Sequence, residues 1–435
     1  RPRQCSAVPR AHRAPIERAF QSGYDACAML PTFKLRPIDH VAAALLFFGY
    51  TAALLATPDM GFTRDESFYF YAADQYKGWF VELAENHERG DVRPSFTQTA
   101  IDRHWSYNPE HPVLVKTAFA LSGLLFHDKL DWLSRSEAYR LPGMVSGALT
   151  VSCLYLFTLV AFRRRLAAVV ASALLATMPH FFFHAHLTCF DIPVVAMWLV
   201  FMYAYYRSLT STRWAWAAGL MWGVGLITKL NAFFLPIVVL LHWGLRALTR
   251  TRIDRAARLS VPPVPLALFT MALVGPVIFY LGWPRHWYET WGRTLWYLNF
   301  HLGHEHYYVR YFGLSLWEPP FPRSYPYVMT LTTTPVPTLV AFFFGAAVLL
   351  SDWRRRVAAG DHDPLGTGLL VSLNAFIPFW IISRPDTPIF GGVKHWMPAI
   401  PFCCMIAGVG IVWVRDAFAA WGQRLGLAAA GAAVV

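Results

Sequence analysis

The stretch FTRDESFYFYAADQYKGW, residues 62–79, places two adjacent carboxylates, Asp65 and Glu66, just past the first long apolar run of the chain. A carboxylate beside low-dielectric material has a poorly solvated charge, and if it stays ionised it is a better base. The chemistry open to it there is removal of a proton from an acceptor at a membrane surface. The simpler reading is that both acids open a helix, where the macrodipole favours negative charge. A second constellation is HLGHEHYY, in which His301, His304 and His306 surround Glu305. Neighbouring imidazoles on a loop can ligate zinc, and a metal beside a phosphate would act as a Lewis acid. The H-x-x-H-x-H spacing is a weak fingerprint, so hydrogen bonding to substrate or loop is the simpler expectation. Asp191 and Lys229 form a third set, each at the outer edge of an apolar segment. Charges at membrane depth are rare and usually functional; the alternative is that these two pair with each other.

The elements that position these groups follow from composition. Of 435 residues, 56% are hydrophobic and 15% charged, against about a quarter charged in a soluble domain. Most of the chain therefore belongs in lipid. The net charge of +12 would point to nucleic acid in a soluble protein; in a membrane protein it reflects basic loops kept on the cytoplasmic side, and no nucleic-acid partner is expected. Spans of roughly 20 apolar residues are predicted at 38–57, 140–161, 166–183, 190–206, 214–230, 232–247, 263–283, 326–350, 365–382 and 394–414. One set of loops is basic: RRR at 163–165, RSLTSTR at 207–213, RALTRTRIDRAAR at 246–258 and DWRRR at 352–356. The other set contains two long segments, 58–139 and 284–325, rich in aromatic residues and mixed in charge. The alternation puts the basic loops and N-terminus inside and the long loops outside. Twelve of the sixteen His residues fall on the outer side or its edge, which an aromatic belt does not explain.

Residues 68–88 carry helical spacing yet are too polar to span, so an amphipathic interfacial helix is expected there, with a second over 112–127. Asp65 and Glu66 lie where the first span meets this helix. Residues 1–37 form a polar, basic arm without an apolar core, hence not a signal peptide; it is expected to be disordered, with Met29 near the natural start. The terminal GLAAAGAAVV stops inside an apolar run, so the chain is expected to be cut short within an eleventh span. The six cysteines show no CxxC, so neither a disulfide framework nor a cysteine metal site is indicated.

A DE pair after the first span, then NPEHP with an apolar helix, then YRLPG entering the second span, resembles the C-type membrane glycosyltransferases. The likeness is to family 39, the branch of protein O-mannosyltransferases and aminoarabinose transferases. MPHFFFHAHLTCFDIP, GLITKLNAFFLP, GHEHYYVRYFG with TTTPVP, and GGVKHWMPAIPF continue it in order across residues 38–414. The resemblance implies an all-α polytopic fold of ten or eleven transmembrane helices with interfacial helices in the first outer loop. It implies transfer of a sugar, with inversion, from a polyprenyl-phosphate donor to an acceptor on the extracytoplasmic face. Asp65 would be the general base and Glu66 would orient it or the acceptor; no acid is required, unlike the two carboxylates of glycoside hydrolysis.

Charge builds on the leaving phosphate, and Lys116, Arg140, Arg310, Arg384 and Lys394, with His111 and His395, are the outer candidates to meet it. Arg140 has a plainer alternative as a snorkelling span-end residue, and Arg384 and Lys394 have one as ordinary loop charges. In NPEHP, Glu110 and His111 stand where the aminoarabinose branch has an acid followed by Lys. His111 departs from that pattern, which passes the lysine's role to Lys116. Asp191, Lys229 and His304 would help shape the donor site, and His184 and His186 are expected to be satisfied edge residues. The absence of any N-x-S/T site fits a bacterial inner membrane with the site facing the periplasm. The alternative is a transporter or lipid-linked sugar flippase, but no internal repeat is apparent and the notable charges gather in the outer loops rather than at the midplane.

Overall fold

In the computed structural model, residues 33–432 are described except 58–59, 251, 254–258, 261, 304, 359–362 and 364. The basic arm of residues 1–32 lies outside the described residues. Sixteen α-helices carry the described fold. The predicted apolar segments fold as α1 (Pro37–Leu55), α5 (Arg135–Phe162), α8 (Asp191–Ser208), α9 (Thr212–Leu226), α10 (Leu235–Arg250), α11 (Leu266–Gly282), α14 (Val336–Ala358), α15 (Thr367–Ile382) and α16 (Ile400–Ala432). Predicted span 166–183 is two helices, α6 (Arg165–Ala176) and α7 (Pro179–Ala185), bent by 67°. Pro179 opens the second of these, where its missing N–H costs nothing.

Each of the ten predicted spans thus contains an apolar helix. Five helical stretches are long and apolar enough to cross a membrane by length and composition, six if the bent pair is one span. Two boundaries are corrected. The stretch 326–350 is interrupted: α13 (Tyr325–Thr333) ends before Pro335, and α14 starts beyond it, because proline restricts the residue before it and cannot donate to the previous turn. The expected eleventh span is not a separate helix among the described residues; residues 423–432 continue α16.

The first outer loop folds as a layer of short helices: α2 (Arg64–Glu88), α3 (Gln98–Trp105) and α4 (Val113–Ser122), the last running on as a π-helix over Gly123–Lys129. Tyr69, Ala73, Tyr76 and Trp79 recur at three- and four-residue intervals and bury the inner face of α2 against Trp105, Val115 and Phe119. The second outer loop holds α12 (Thr290–Leu302) and an antiparallel hairpin, β3 (Val309–Tyr311) with β4 (Leu314–Leu316); a smaller pair, β1 (Arg252–Ile253) with β2 (Leu259–Ser260), lies between α10 and α11.

On the basic side, Arg165 donates from Nε (2.7 Å) and Nη2 (3.0 Å) to the buried Asp39 carboxylate and ties α1 to α6. Helix association in lipid relies on close packing rather than hydrophobic gain, and α14 and α16 touch through glycine. A Cβ on Gly345 would overlap the Ile406 carbonyl, and one on Gly410 would overlap the backbone of Ala341 and Gly345. Gly345→Leu is therefore expected to lower the thermal unfolding midpoint in detergent, since overpacking costs about 1–3 kcal/mol even where neighbours yield. Gly49→Leu, with nothing within 4 Å, is the control expected to leave the midpoint in place. Equal midpoints for both variants would contradict the close crossing.

Candidate active site

Helix α2 begins with Thr63 as N-cap and Glu66 at its third position, and the Thr63 amide donates to Glu66 Oε2 at 2.9 Å. Adjacent helical residues point about 100° apart (3.6 residues per turn), so Asp65 and Glu66 part company here. Glu66 is completely buried. Its Oε1 accepts from Arg140 Nε at 2.9 Å and the Thr188 amide at 3.0 Å, and its Oε2 from Arg140 Nη2 at 3.0 Å. Arg140 also donates to the Gly61 carbonyl and lies over the Phe62 ring. This buried pair fastens the start of α2 to α5 and to the segment entering α8. Glu66 completes the helix cap, as the simpler reading of the pair expected, and Asp65 faces outward.

Asp65 is 41% exposed at its side chain, and its Oδ2 accepts from Lys394 Nζ at 3.0 Å. Lys394 reaches it from a short 3-10 turn that follows Gly391 and Gly392, at φ of +67° and +63°. Only glycine takes two such angles in succession without strain. The ammonium lies over the Phe390 ring at 5.1 Å. Burial works against its charge, but the Asp191 and Asp65 carboxylates prevail and hold Lys394 above the ordinary lysine value. Asp191, at the N-terminus of α8, accepts from Lys229 Nζ at 2.7 Å and has His184 Nδ1 at 3.5 Å. Lys229 and Asp191 do pair, as the plainer reading expected, and Asp191 shares Lys394 with Asp65 as an electrostatic neighbour. His184 was expected to be a satisfied edge residue; instead it stands on Asp191. His186 keeps the edge role, between the carbonyls of Leu54 and Phe182.

The NPEHP turn closes the other wall. His111 stacks on Phe190 at 4.9 Å, and its Nε2 is 3.3 Å from the Tyr69 hydroxyl, one turn along α2 from Asp65. Burial, together with Lys116 and Lys229, holds the His111 imidazole well below its usual value, hence neutral. Glu110 accepts from the Asn108 amide through its side chain, and its backbone carbonyl accepts from His301 Nε2 at 2.9 Å. His395 packs on Phe390 at 4.6 Å with its Nε2 buried and without a partner; burial, Lys229 and Lys394 push it down to about 3.

Several expected residues do not converge here. Lys116 was assigned to the phosphate, but its fully buried Nζ donates to the Asn108 carbonyl at 2.6 Å and the His111 carbonyl at 2.8 Å, above the Tyr76 ring. It clamps the turn that presents Glu110 and His111. Arg140 is committed to Glu66. Arg310 points away from the site, because Val309 and Tyr311 take the inward face of β3. Arg384 pairs with Asp386 at 2.9 Å in the open. Of the His-rich segment, His301 is turned to the Glu110 carbonyl and His306 packs on Phe321, while His304 lies outside the described residues. Among the described residues, no three His, Cys, Asp or Glu side chains gather to hold a metal ion.

Burial pushes Lys116 down to about 7 from 10.5. Between those values the unfolded chain binds a proton that the folded chain releases, so stability rises with pH across that window and is lost as pH falls to 7. The slope attributable to this one lysine is at most about 1.4 kcal/mol per pH unit. Lys116→Met is expected to flatten the rise of the unfolding midpoint between pH 7 and 10 and to lower it at every pH, because the loop carbonyls lose their donor. An unchanged slope would contradict the lowering of Lys116 by burial.

Residues 110–280 match the model of the family described as dolichyl-phosphate-mannose-protein mannosyltransferase. No curated protein sequence matches the chain significantly. Among solved structures the chain is similar to ArnT from Cupriavidus metallidurans. The apo structure matches with a TM-score of 0.51 at 18% identity over 87% of this chain and 62% of that one. The undecaprenyl-phosphate-bound structure matches with a TM-score of 0.49 at 17% identity over 84% and 59%. The chain therefore spans about three-fifths of the length of ArnT. It carries the C-type glycosyltransferase membrane fold, as the resemblance implied.

Proposed function

We propose that the protein is an inverting glycosyltransferase that moves a sugar from a polyprenyl-phosphate carrier to a hydroxyl acceptor on the outer face of a bacterial inner membrane. The observation that carries the reading is the 3.0 Å contact between Asp65 and Lys394. It brings a water-accessible base and a phosphate-seeking cation from opposite ends of the chain to one point at the membrane surface. The family description, dolichyl-phosphate-mannose, supports a polyprenyl-phosphate donor. The outward side follows from the basic loops on the other face.

In the proposed reaction the donor phosphate draws Lys394 away from Asp65. The acceptor oxygen attacks the anomeric carbon while its proton passes to the freed carboxylate, and the bond from that carbon to the phosphate oxygen breaks. Polyprenyl phosphate leaves with its added negative charge against Lys394 and Lys229, so no general acid is needed. Glu66 and Arg140 keep Asp65 at its post without touching substrate. The transporter reading is not favoured, because the buried charges gather beside one outward, half-exposed base.

The test is transfer from radiolabelled polyprenyl-phosphate sugars into a membrane and periplasmic extract, with purified wild type and Lys394→Met. Wild type is expected to transfer label from one donor class. Lys394→Met is expected to bind polyprenyl phosphate about 10- to 150-fold more weakly, the range for one hydrogen bond to a charged group. No transfer from any donor would overturn the reading; equal lipid affinity would remove Lys394 from the phosphate.

A further inference from the structure

The second outer loop does not look like a segment made for water. On α12, Trp291 is 80% exposed and Leu302 85%, with Leu295 between them on the same stripe, while Arg293 and Tyr297 face inward. The hairpin repeats the pattern. Val309 and Tyr311 are turned inward, whereas Phe312 at the tip is 79% exposed and Trp317 64%. Phe312 adopts a φ of +48°, followed by Gly313 at +82°. Left-handed backbone costs a non-glycine residue roughly 1–2 kcal/mol. A solvated turn would relieve that strain with Asn or Gly; here a bulky apolar ring is held at the tip, facing away from the protein.

The neighbouring surface says what covers these rings. Phe269, Leu273, Val277 and Leu281 form an exposed stripe along α11, the lipid side of an apolar helix. The chain passes from the end of that stripe into α12 within eight residues. Arg310 stands outward beside Phe312, placed as a cation at headgroup height while Trp and Tyr rings lie at the interface. The surface is amphipathic, aromatic and basic, as an interfacial element requires.

We propose that α12 and the β3–β4 hairpin form a bilayer-docking element: Phe312, Trp317 and the Trp291 stripe sit at the acyl boundary of the outer leaflet, and Arg310 meets lipid phosphate. This docking reaches the candidate site. Tyr307, at the base of the hairpin, packs on Phe390 at 4.9 Å, and Phe390 underlies Lys394 and His395. The membrane thereby fixes the height of the segment that carries Lys394. The inference stands without the transferase reading, since it rests on the loop surface alone.

The test uses the full chain in nanodiscs of phosphatidylethanolamine and phosphatidylglycerol. Cys5 and Cys27 are replaced by Ser; Cys153, Cys189 and Cys404 are buried and Cys403 is half-buried. An environment-sensitive fluorophore is attached at Phe312→Cys, with Glu88→Cys as the exposed reference. Nitroxide-bearing lipid is expected to quench the Phe312→Cys probe at least threefold more than the Glu88→Cys probe, and iodide to quench it at least threefold less. Quenching by iodide without quenching by nitroxide lipid would put the hairpin in water and overturn the proposal. Shielding from both quenchers would mean that protein covers the tip, and would overturn it equally. A second label at Trp291→Cys repeats the reading if the hairpin variant does not fold.

Discussion

Asp65→Asn is expected to abolish sugar transfer while leaving polyprenyl-phosphate binding intact or tighter. A positioned general base contributes about 10²–10⁴ in rate, and the amide can neither accept the proton nor hold Lys394 by charge. Removing the carboxylate also removes a negative neighbour from the incoming phosphate, so donor affinity is not expected to fall. Single-turnover transfer and direct lipid binding, measured on the same preparation, separate the two effects. More than a tenth of the wild-type single-turnover rate in Asp65→Asn would rule the carboxylate out as the base. Loss of lipid binding together with the rate would instead mark Asp65 as structural.

Arg140→Met is expected to be the most destabilising substitution at the site. It strands a fully buried Glu66 carboxylate, and breaking a buried pair by removing one partner costs about 3–5 kcal/mol. Glu66→Gln with Arg140→Met leaves neither charge of the pair and is expected to recover most of that loss, because a buried pair often contributes little over a neutral replacement. Thermal unfolding of the two single variants and the double variant checks this. Were Arg140 instead a phosphate ligand, the single variant would melt like wild type and lose lipid affinity, and the double variant would rescue neither property.

The sequence carried the membrane architecture well, because hydropathy and loop charge are local and strong. Each predicted apolar segment contains a helix, and the amphipathic face of α2 follows directly from Tyr69, Tyr76 and Trp79. Boundaries failed where backbone chemistry decides them: Pro335 splits one stretch, and the bend between Thr177 and Pro179 splits another. Within the site, residue type and depth were legible, whereas direction was not. Asp65 and Glu66 are adjacent in sequence yet lead opposite lives, one toward water and one under Arg140. Thr63, three residues before Glu66, was the available signal, since that spacing forms a capping box. Lys116 was assigned outward because it follows the NPEHP turn; nothing local announces that its ammonium folds back onto the carbonyls of that turn. Arg310 was misplaced for the opposite reason, a two-residue strand periodicity too short to recognise in three residues. The pairing of Asp65 with Lys394 joins positions 329 residues apart and had no local trace.

The quartet of Asp65, Lys394, Asp191 and Lys229 has an electrical consequence. Two negative and two positive side chains cancel, and the imidazoles of His111 and His395 add nothing because both are held neutral. In the proposed transfer, a proton settles on Asp65 as a second negative charge appears on the phosphate. Charge is redistributed within the site, and none enters or leaves it during the chemical step. Each elementary charge carried across a membrane is worth about 2.3 kcal/mol per 100 mV, a burden this arrangement avoids. An energised membrane should therefore neither drive nor resist the reaction: the step is blind to voltage.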